Sequence, residues 1–391
     1  MSAGPSFNPI FAGLGTTIFS VMSALALENG AINLGQGFPD EDGPETIREA
    51  AAEALRSGPN QYPPTRGLPA LRSAIAAHAK RFHGFEFDPD TEVLVTSGAT
   101  EALASCIYGL ASAGREVVVI EPAYDSYRPI AQSAGAKVRR VVLEPPAFTL
   151  RREHLAAAIS PATAAVLVNT PLNPAGRVFS RAELEILADV VRPTGAAVIA
   201  DEVYEHLTFD GKPHLSPLAI AGLEDRVLRV GSAGKMFSLT GWKVGWVTGP
   251  AALLEVAAKA HQFLTFTTSP ALQLGIAYGL EHEMGFTLAL RAALQAKRDF
   301  LAAALTELGF EILPCEGTYF LTASIRALSA QSDRDFCLRL VTEAKVALVP
   351  LSPFFEAATP DHLVRFAFCK RQEVLAEAIT RLRNYLGKRK V

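Results

Sequence analysis

Short runs of β-branched and other apolar residues alternate with longer segments of helical periodicity between residues 90 and 250. This alternation is typical of a parallel sheet covered by helices. The predicted strands, each ending close to Gly, Pro, Asn, Asp or Ser, span residues 92–96, 116–120, 138–143, 164–169, 196–200, 227–230 and 244–248. The predicted helices between them include 99–111, 181–190 and 252–263. We therefore expect an α/β fold with a mostly parallel seven-stranded sheet flanked by helices.

The pattern changes after about residue 270. A long helical stretch over 270–308 is followed by a last helix from Glu373, and short strands are predicted between them over 310–313, 317–321, 347–350 and 363–368. This mixture indicates a smaller α+β domain. We predict a large domain over residues 40–278 and a small domain built from both termini, 1–39 and 279–391.

A chain of 391 residues, 49% hydrophobic and 20% charged, is long enough for each domain to have a core. Its 37 basic and 40 acidic side chains give a formal charge of -3, so a basic surface for nucleic acid is not expected. The sequence shows neither a signal-peptide pattern nor a run of about eighteen apolar residues. We expect a cytoplasmic enzyme with small-molecule partners, and no nucleic-acid or membrane partner.

The cysteines are Cys106, Cys315, Cys337 and Cys369. They lie far apart and have none of the short paired spacings of zinc or redox motifs. We interpret them as buried, reduced thiols, and we predict no metal site. No fixed-period repeat or low-complexity tract indicates a solenoid or a disordered linker.

Two lysines lie among small residues after the predicted strand 227–230, in Ser-Ala-Gly-Lys at 232–235 and Gly-Trp-Lys-Val-Gly at 241–245. A lysine attacks an aldehyde only when its amine is neutral, so a Schiff-base lysine needs burial or a neighbouring cation to lower its pKa. Small residues packed at a strand end provide such a setting for Lys235. A Gly-Lys pair taken alone is more often a surface turn, and only the accompanying motifs favour the catalytic interpretation.

Polar side chains also follow two other predicted strands. Asp201 comes directly after the strand 196–200, where it could face a protonated pyridine nitrogen, and Tyr204 could donate to the phenolate oxygen of the same ring. Asn173 lies in a turn with two prolines at 169–176, whose X-Pro bonds are candidates for cis geometry, and could reach the same oxygen. In isolation, Asp201 could equally be a helix N-cap, Tyr204 a core aromatic and Asn173 an ordinary turn residue.

A phosphate group needs backbone donors and a cation, and the sequence offers both. The candidate backbone donors, between a predicted strand and the start of a helix, are Gly98, Ala99 and Thr100. Ser232 and Lys243 could add a hydroxyl and a positive charge. Tyr124, after another predicted strand, could stack on the pyridine face, or it could be a packed loop aromatic.

Taken in order, these motifs resemble the fold-type I aminotransferases of class I and II, the aspartate aminotransferase superfamily, over nearly the whole chain. The resemblance implies a pyridoxal 5'-phosphate (PLP) cofactor carried by Lys235. For the other cofactor contacts it implies Asp201 at the pyridine nitrogen, Tyr204 and Asn173 at the phenolate oxygen, and Ser232 at the phosphate. It also places Arg365 at the arginine that binds the substrate α-carboxylate bidentately.

The N-terminal motifs resemble the branch of kynurenine, glutamine and methionine aminotransferases and of N-succinyldiaminopimelate aminotransferases. Asn-Leu-Gly-Gln-Gly-Phe-Pro-Asp at 33–40 resembles the segment that folds over the substrate, which places Gly37 in the substrate site, and the overall resemblance implies Asn173 there as well. Asn-Gln-Tyr-Pro at 60–63 resembles the stretch whose tyrosine, here Tyr62, reaches the phosphate of the neighbouring subunit. A homodimer is therefore expected. Lys243 stands where many relatives have arginine, which leaves phosphate binding with less geometric constraint.

The resemblance implies an aminotransferase that moves an amino group from an L-amino acid to a 2-oxo acid by a ping-pong mechanism. No second arginine matches a site for a side-chain carboxylate. The aromatic candidates for a pocket that takes large uncharged or aromatic side chains are Phe19, Tyr62, Phe266 and Tyr319. Two alternatives stay open: a C–S β-lyase that uses PLP, and an N-succinyldiaminopimelate aminotransferase of lysine biosynthesis, whose extra carboxylate would need a cation such as Arg66 or Lys212.

Overall fold

The structure, a computed structural model, describes residues 6–58, 60–356 and 360–387, so the outer ends of the predicted small domain lie outside the described residues. The helices of the described residues are α1 (Pro9–Ala12), α2 (Ile18–Glu28), α3 (Glu45–Ser57), α4 (Pro69–His83), α5 (Gly98–Leu110), α6 (Tyr127–Ser133), α7 (Arg152–Ala158), α8 (Arg181–Val191), α9 (Ala233–Met236), α10 (Ala251–Leu264), α11 (Pro270–His282), α12 (Met284–Glu307), α13 (Asp333–Arg339) and α14 (Gln372–Gly387). The strands are β1 (Ile32–Asn33), β2 (Val93–Thr96), β3 (Glu116–Glu121), β4 (Lys137–Val142), β5 (Thr163–Asn169), β6 (Ala197–Asp201), β7 (Val227–Ser232), β8 (Gly245–Thr248), β9 (Glu311–Ile312), β10 (Phe320–Ser324), β11 (Val346–Ala347), β12 (Val349–Pro350) and β13 (Leu363–Ala367).

The main sheet has seven strands in the order β2-β8-β7-β6-β5-β3-β4. Neighbouring strands are parallel except at β8, which is antiparallel to both β2 and β7. The central strands β5 and β6 are buried along their whole length, as expected for a sheet covered on both faces. The predicted fold class, a mostly parallel sheet flanked by helices with a smaller α+β part, is confirmed.

Successive residues of the central strands point to opposite faces and supply two apolar cores. In β5, Ala165 and Leu167 belong to the core beneath α5 and α10, whereas Val166 and Val168 belong to the core beneath α7 and α8. At the start of α8, the side chain of Ser180 caps the helix together with Glu183. This capping explains why the predicted and observed helix starts agree there.

The directions of the strands decide which loops meet at the cavity described below. Because β2, β3, β5, β6 and β7 run the same way, the residues that follow them gather at one edge of the sheet. β8 runs the opposite way, so Lys243, which precedes it, reaches the same edge. A Cβ on Gly245, the first residue of β8, would lie 2.7 Å from the carbonyl carbon of Gly98. Only glycine therefore lets the lysine-bearing turn approach the start of α5 this closely.

The later part of the chain forms a second, antiparallel sheet in the order β12-β13-β10-β9. The predicted strand over 317–321 begins only at Phe320, because Thr318 has a left-handed φ of 69°. The predicted long helical stretch is two helices, α11 and α12, which are separated at Glu283. β1, from the N-terminal part of the chain, pairs in parallel with β11, from the C-terminal part. The division into 40–278 and a domain built from both termini stays a prediction.

No helix of the described residues combines the length and the apolar character needed to cross a membrane. All four cysteines are free and buried, as the sequence predicts. Burial raises the pKa of the Cys106 thiol, which agrees with an unreactive core residue.

Candidate active site

A cavity of about 420 Å³ opens at the edge of the main sheet where the parallel strands end. It is lined by residues that follow β2, β3, β5, β6 and β7, and by residues that precede β8. The lining includes these residues predicted from the sequence: Gly37, Gly98, Ala99, Thr100, Tyr124, Asn173, Asp201, Tyr204, Ser232, Lys235, Lys243 and Arg365. The strand ends thus bring together side chains that are far apart in the sequence.

Tyr62 is the predicted cofactor residue that does not line this cavity. Its side chain is 82% exposed, and its ring contacts Phe266 edge to face with centroids 5.2 Å apart. Of the aromatic residues predicted to form a substrate pocket, Phe19 lines the cavity, whereas Tyr62 and Phe266 lie on the surface of the single chain. The role predicted for Tyr62 therefore depends on a second chain.

Lys235 lies at the centre of the cavity in the short helix α9. Its Nζ donates a hydrogen bond to the hydroxyl of Tyr319 at 2.7 Å, and that hydroxyl donates to the carbonyl of Gly37 at 2.5 Å. Burial lowers the pKa of Lys235 to about 8, an effect that Arg365 and Lys243 reinforce. Tyr319, predicted as a pocket aromatic, is instead a buried hydrogen-bond partner of the lysine.

Asp201 is the last residue of β6, and its buried carboxylate faces the cavity. The Tyr127 hydroxyl donates to Oδ2 at 2.5 Å. Burial raises the pKa of Asp201 to about 6, and the hydrogen bond from Tyr127 opposes that rise. No helix begins at this point of the described chain, so the N-cap interpretation of Asp201 is wrong. Tyr204 is buried and also lines the cavity, so its position agrees both with a core aromatic and with a donor to the cofactor.

Arg365, in the middle of β13, is buried with its guanidinium held from two sides. Nη1 donates to Oδ1 of Asn173 at 2.9 Å, and Nη2 donates to the carbonyl of Gly35 at 2.7 Å. Nε is a buried donor with no acceptor among the described residues. Phe320 lies under the guanidinium, 3.8 Å from its carbon to the ring centroid, and Phe19 and Phe354 flank it at 5.2 and 5.3 Å. Burial lowers the pKa of Arg365 to about 10, so the side chain stays charged at neutral pH.

The start of α5 and the turn before β8 form a concave, positively charged wall of the cavity. Gly98 has a φ of 78°, and α5 runs thirteen residues from it, so its first N–H groups face the cavity with the positive end of the helix dipole. Nζ of Lys243 lies 3.4 Å from where a Cβ of Gly98 would be. Ser232, at the end of β7, adds a hydroxyl. This wall has the donors and the charge that a phosphate group requires.

Two further residues of the site were not predicted as such. Tyr127 binds the carboxylate of Asp201, as described above. Asn169, the last residue of β5, donates from Nδ2 to the main-chain carbonyl of Asp201 at 2.9 Å and accepts at Oδ1 from the N–H of Asn173 at 2.8 Å. The sequence signal for Asn169 is its position as a polar residue that ends a buried strand, the same signal that identified Asp201.

The two cations considered for a second substrate carboxylate have acidic partners outside the cavity lining. Arg66 forms an ion pair with Glu255, and Lys212 forms one with Glu316. Neither Arg66 nor Lys212 lines the cavity. The charged residues that do line it are Asp125, Asp201, Lys235, Lys243 and Arg365.

Comparison with known proteins gives a consistent result. Residues 29–382 match the family model of the class I and II aminotransferases. The chain is 46% identical over 378 residues to a probable N-succinyldiaminopimelate aminotransferase of Mycobacterium tuberculosis, covering 94% of this chain and 95% of that protein. It is 44% identical over 370 residues to a methionine aminotransferase of Escherichia coli, covering 95% and 96%.

A solved structure of the N-succinyldiaminopimelate aminotransferase from M. tuberculosis superposes with a TM-score of 0.94 at 46% identity, and the match covers 96% of this chain and 99% of that one. Similarity of this extent reaches every element that lines the cavity. Members of this family use PLP as their cofactor. This chain belongs to the class I and II aminotransferases, and it is a PLP-dependent transaminase.

Proposed function

We propose that this aminotransferase takes its amino group from a large, uncharged or aromatic L-amino acid and passes it to a 2-oxo acid in a ping-pong cycle. The observation that supports this substrate class is an apolar wall of the cavity next to Arg365, formed by the rings of Phe19 and Phe320. Arg365 offers a clamp for the α-carboxylate, and the rings around it offer apolar contact to what lies beyond.

The cavity fits PLP in charge and in hydrogen-bonding groups. We assign the buried carboxylate of Asp201 to the pyridinium nitrogen, because a buried carboxylate needs a partner of positive charge. We assign the phosphate to Ser232, Lys243 and the start of α5. Because Oδ1 of Asn173 accepts from Arg365, its Nδ2 is free to donate to the phenolate oxygen, together with the hydroxyl of Tyr204. When bound, PLP supplies the electron sink for cleavage of a bond at the substrate Cα.

The proposed catalytic residue is Lys235. Its amine would hold the cofactor, and as a free amine it would take a proton from the substrate Cα. A pKa of about 8 leaves roughly a tenth of the amine neutral at pH 7, whereas an ordinary lysine leaves only about three parts in ten thousand. Burial therefore raises the supply of the reactive form by more than two orders of magnitude.

Contact with the apolar wall also predicts which amino acids are the better amino donors. Burying methylene, thioether or ring surface contributes roughly 25 cal/mol per Å², so methionine or phenylalanine gains a few kcal/mol over alanine. Among the described residues that line the cavity, the cations are Lys235, Lys243 and Arg365, and each already has a proposed role, so a side-chain carboxylate would find no unassigned cation there. We therefore expect aspartate to be a poor donor.

A second candidate substrate is an N-succinylated diaminopimelate derivative, which the 46% identity to the M. tuberculosis protein favours. Its extra carboxylate would require a cation from outside the cavity wall. Arg66 and Lys212 would each have to leave an ion pair to supply one. This requirement ranks the succinylated substrate second.

We also propose a homodimer in the cytoplasm. Tyr62, Phe263 and Phe266 are exposed to 82, 86 and 39%, and Tyr62 contacts Phe266, so large apolar side chains cluster on one surface. If a second chain covered this surface, Tyr62 of the first chain would lie close to the cavity of the second chain. The four free cysteines suit a reducing compartment, and fractionation of expressing cells tests the location.

The substrate proposal is tested by kcat/KM for methionine, phenylalanine, aspartate and N-succinyldiaminopimelate, each with the same 2-oxo acid in excess. The proposal predicts methionine and phenylalanine ahead of aspartate by at least about tenfold, the equivalent of burying one or two methylene groups. Aspartate as the best donor would contradict the apolar wall. A strong preference for the succinylated substrate would establish the second candidate, and release of pyruvate and ammonia from a sulfur amino acid would reveal β-lyase chemistry.

A further inference from the structure

Tyr319 connects the catalytic lysine to the segment 35–38. Its side chain is 2% exposed and its ring packs edge to face against Tyr204, with centroids 5.2 Å apart. Its hydroxyl lies 2.7 Å from the amine of Lys235 and 2.5 Å from the carbonyl of Gly37, and it also interacts with the hydroxyl of Tyr204. The contacts with Lys235 and Gly37 are made by one oxygen atom, so the position of the amine depends on the position of the segment.

The chemistry of these three groups determines the direction of each hydrogen bond. A carbonyl cannot donate, so the single proton of the Tyr319 hydroxyl points to Gly37. The lone pairs of the same oxygen then accept an N–H of Lys235. Burial raises the pKa of Tyr319 well above its ordinary value, which keeps the phenol protonated at working pH. Tyr319 therefore takes no proton from the lysine, and it directs the lone pair of a neutral amine away from itself.

The segment 35–38 also contacts Arg365, the proposed substrate-binding residue. The carbonyl of Gly35 accepts from Nη2 of Arg365 at 2.7 Å, two residues before the carbonyl that accepts from Tyr319. A Cβ on Gly37 would overlap the ring of Phe320, so the segment lies directly against the Tyr319–Phe320 corner. One short stretch of main chain thereby sets the positions of both the carboxylate-binding arginine and the lysine amine.

We propose that Tyr319 is a positioning residue for transamination, which holds the free amine of Lys235 and ties it to the segment that orients Arg365. This inference rests on the proposed role of Lys235. To act as the proton carrier, the free amine of Lys235 would have to present its lone pair to the proton at the substrate Cα. A fixed acceptor for one N–H restricts the amine to a narrow set of orientations, and this lowers the entropic cost of aligning its lone pair with the Cα proton.

The test compares Tyr319→Phe with the wild type. The variant keeps the ring and its packing on Tyr204 but removes the acceptor. The matched control is Tyr108→Phe, which removes a tyrosine hydroxyl that is bonded to Ser133 at 2.5 Å and lies outside the cavity lining. Full-length protein freed of cofactor is labelled with trace acetic anhydride over a range of pH, and the fraction acetylated at Lys235 is read by mass spectrometry.

The hydroxyl stabilises the ammonium form by accepting from it, so its loss lowers the pKa of Lys235. We expect the labelling midpoint to fall by about one pH unit in Tyr319→Phe and to stay unchanged in Tyr108→Phe. The other titratable groups that face the lysine are the charged side chains of Asp201, Lys243 and Arg365 and the thiol of Cys369, and both variants retain them. An unchanged midpoint in Tyr319→Phe would overturn the inference.

Hydrogen exchange of the loaded enzymes provides a second readout that does not require the cofactor-free protein to stay folded. The N–H groups of Gly35 and Gln36 are bound by Oδ1 of Asn33 at 2.9 and 3.1 Å. If Tyr319 anchors the segment, these amides exchange at least about tenfold faster in Tyr319→Phe than in the wild type or in Tyr108→Phe. Equal exchange in all three proteins would contradict the anchoring role.

Failure of this inference is distinguishable from failure of the proposed function. The labelling experiment measures the amine of Lys235 whether or not that residue carries the cofactor. Turnover in a Lys235→Ala variant would remove the proposed catalytic role and leave the Tyr319 contact measurable. Conversely, if the Lys235→Ala variant is inactive but the labelling midpoint of Tyr319→Phe is unchanged, the catalytic role of Lys235 stands and the positioning role of Tyr319 is rejected.

Discussion

Arg365 and Asn173 are joined by a hydrogen bond of 2.9 Å from Nη1 to Oδ1, which links the proposed substrate side of the cavity to the proposed cofactor side. The bond uses the only acceptor of the Asn173 side chain, and so it leaves the amide donors for the cofactor. It also uses one of the five N–H donors of Arg365, and Gly35 uses a second. Three donors remain for a carboxylate, on a guanidinium plane that is fixed before substrate arrives.

Replacing Arg365 with lysine tests this arrangement. A lysine keeps the charge but cannot donate to Asn173, Gly35 and a carboxylate in one plane. We expect kcat/KM to fall by roughly 100-fold to 1000-fold for every amino donor alike, because the α-carboxylate is common to all of them. Steady-state kinetics with two donors checks this, and Arg66→Lys, outside the cavity, is the matched control. A loss confined to one donor would show that Arg365 binds a side chain instead.

The Asp201→Asn variant should separate stability from activity. The folded pKa of about 6 lies above the ordinary value of 3.8, so this group contributes stability at low pH that is lost as pH rises through about 6. Without cofactor, we expect the variant to be more stable than the wild type at pH 8, by about 2 kcal/mol, and no more stable at pH 4. Urea unfolding at both pH values measures the difference. With cofactor, turnover should fall by about three orders of magnitude, because the pyridinium loses its carboxylate.

The proposed dimer predicts complementation between defective variants. A Tyr62→Ala variant is expected to be strongly impaired, and a Lys235→Ala variant is expected to be inactive. When the two are mixed and allowed to exchange subunits, the cavity that keeps its Lys235 and Arg365 receives an intact Tyr62 from the Lys235→Ala chain only if this tyrosine serves the neighbouring chain, as proposed. Some activity should therefore return. A fully active monomer by analytical ultracentrifugation would contradict the shared site.

A largely buried cluster of histidines, His78, His83 and His206, surrounds Glu205, four residues after Asp201. Nε2 of His78 lies 2.7 Å from Nε2 of His206, and Glu205 beside them is paired with His83 at 2.6 Å and Arg229 at 3.0 Å. Burial lowers the pKa of His78 to about 3 and that of His206 to about 4, from an ordinary value of 6.5. The unfolded chain thus binds more protons than the folded one below pH 6.5, and stability falls as the pH is lowered through that window.

We expect acid to destabilise the protein through this cluster before the carboxylates titrate. Between pH 7.5 and pH 5 the free energy of unfolding should fall by about 2 to 4 kcal/mol, since each pKa unit corresponds to about 1.4 kcal/mol. A His206→Phe variant should show a shallower slope, and His282→Gln, at an exposed site, should keep the wild-type slope. Urea unfolding at intermediate pH values measures the slopes. Equal slopes in all three proteins would exclude the cluster as the cause.

The local sequence pattern was sufficient to predict the seven strands of the main sheet and the polar residues that follow them, whereas Gly37 and Arg365 were identified only through the resemblance to the aminotransferases. Buried parallel strands are short, apolar and end in turn residues, so each of the seven was recognisable on its own. Strand direction is not a local property, and the antiparallel course of β8, which brings Lys243 to the cavity, became clear only from its pairing.

The contacts that the sequence did not reveal are long-range ones between side chains with several possible partners. Tyr127 and Asp201 are 74 positions apart, and Lys235 and Tyr319 are 84 apart. A tyrosine in a loop packs in an apolar core as readily as it donates to a carboxylate, and only the fold decides between these. Tyr62 illustrates the same limit, because the surface that would give it a role belongs to a second chain.

The central claim, that Lys235 carries the cofactor, is tested most directly by borohydride reduction of the loaded enzyme followed by peptide mapping. Reduction makes the bond between the lysine and the cofactor permanent, so the labelled peptide identifies the residue. The account predicts the label on the peptide that contains Lys235, and no label in a Lys235→Ala variant. A label on Lys243, the other lysine of the cavity wall, would contradict both assignments.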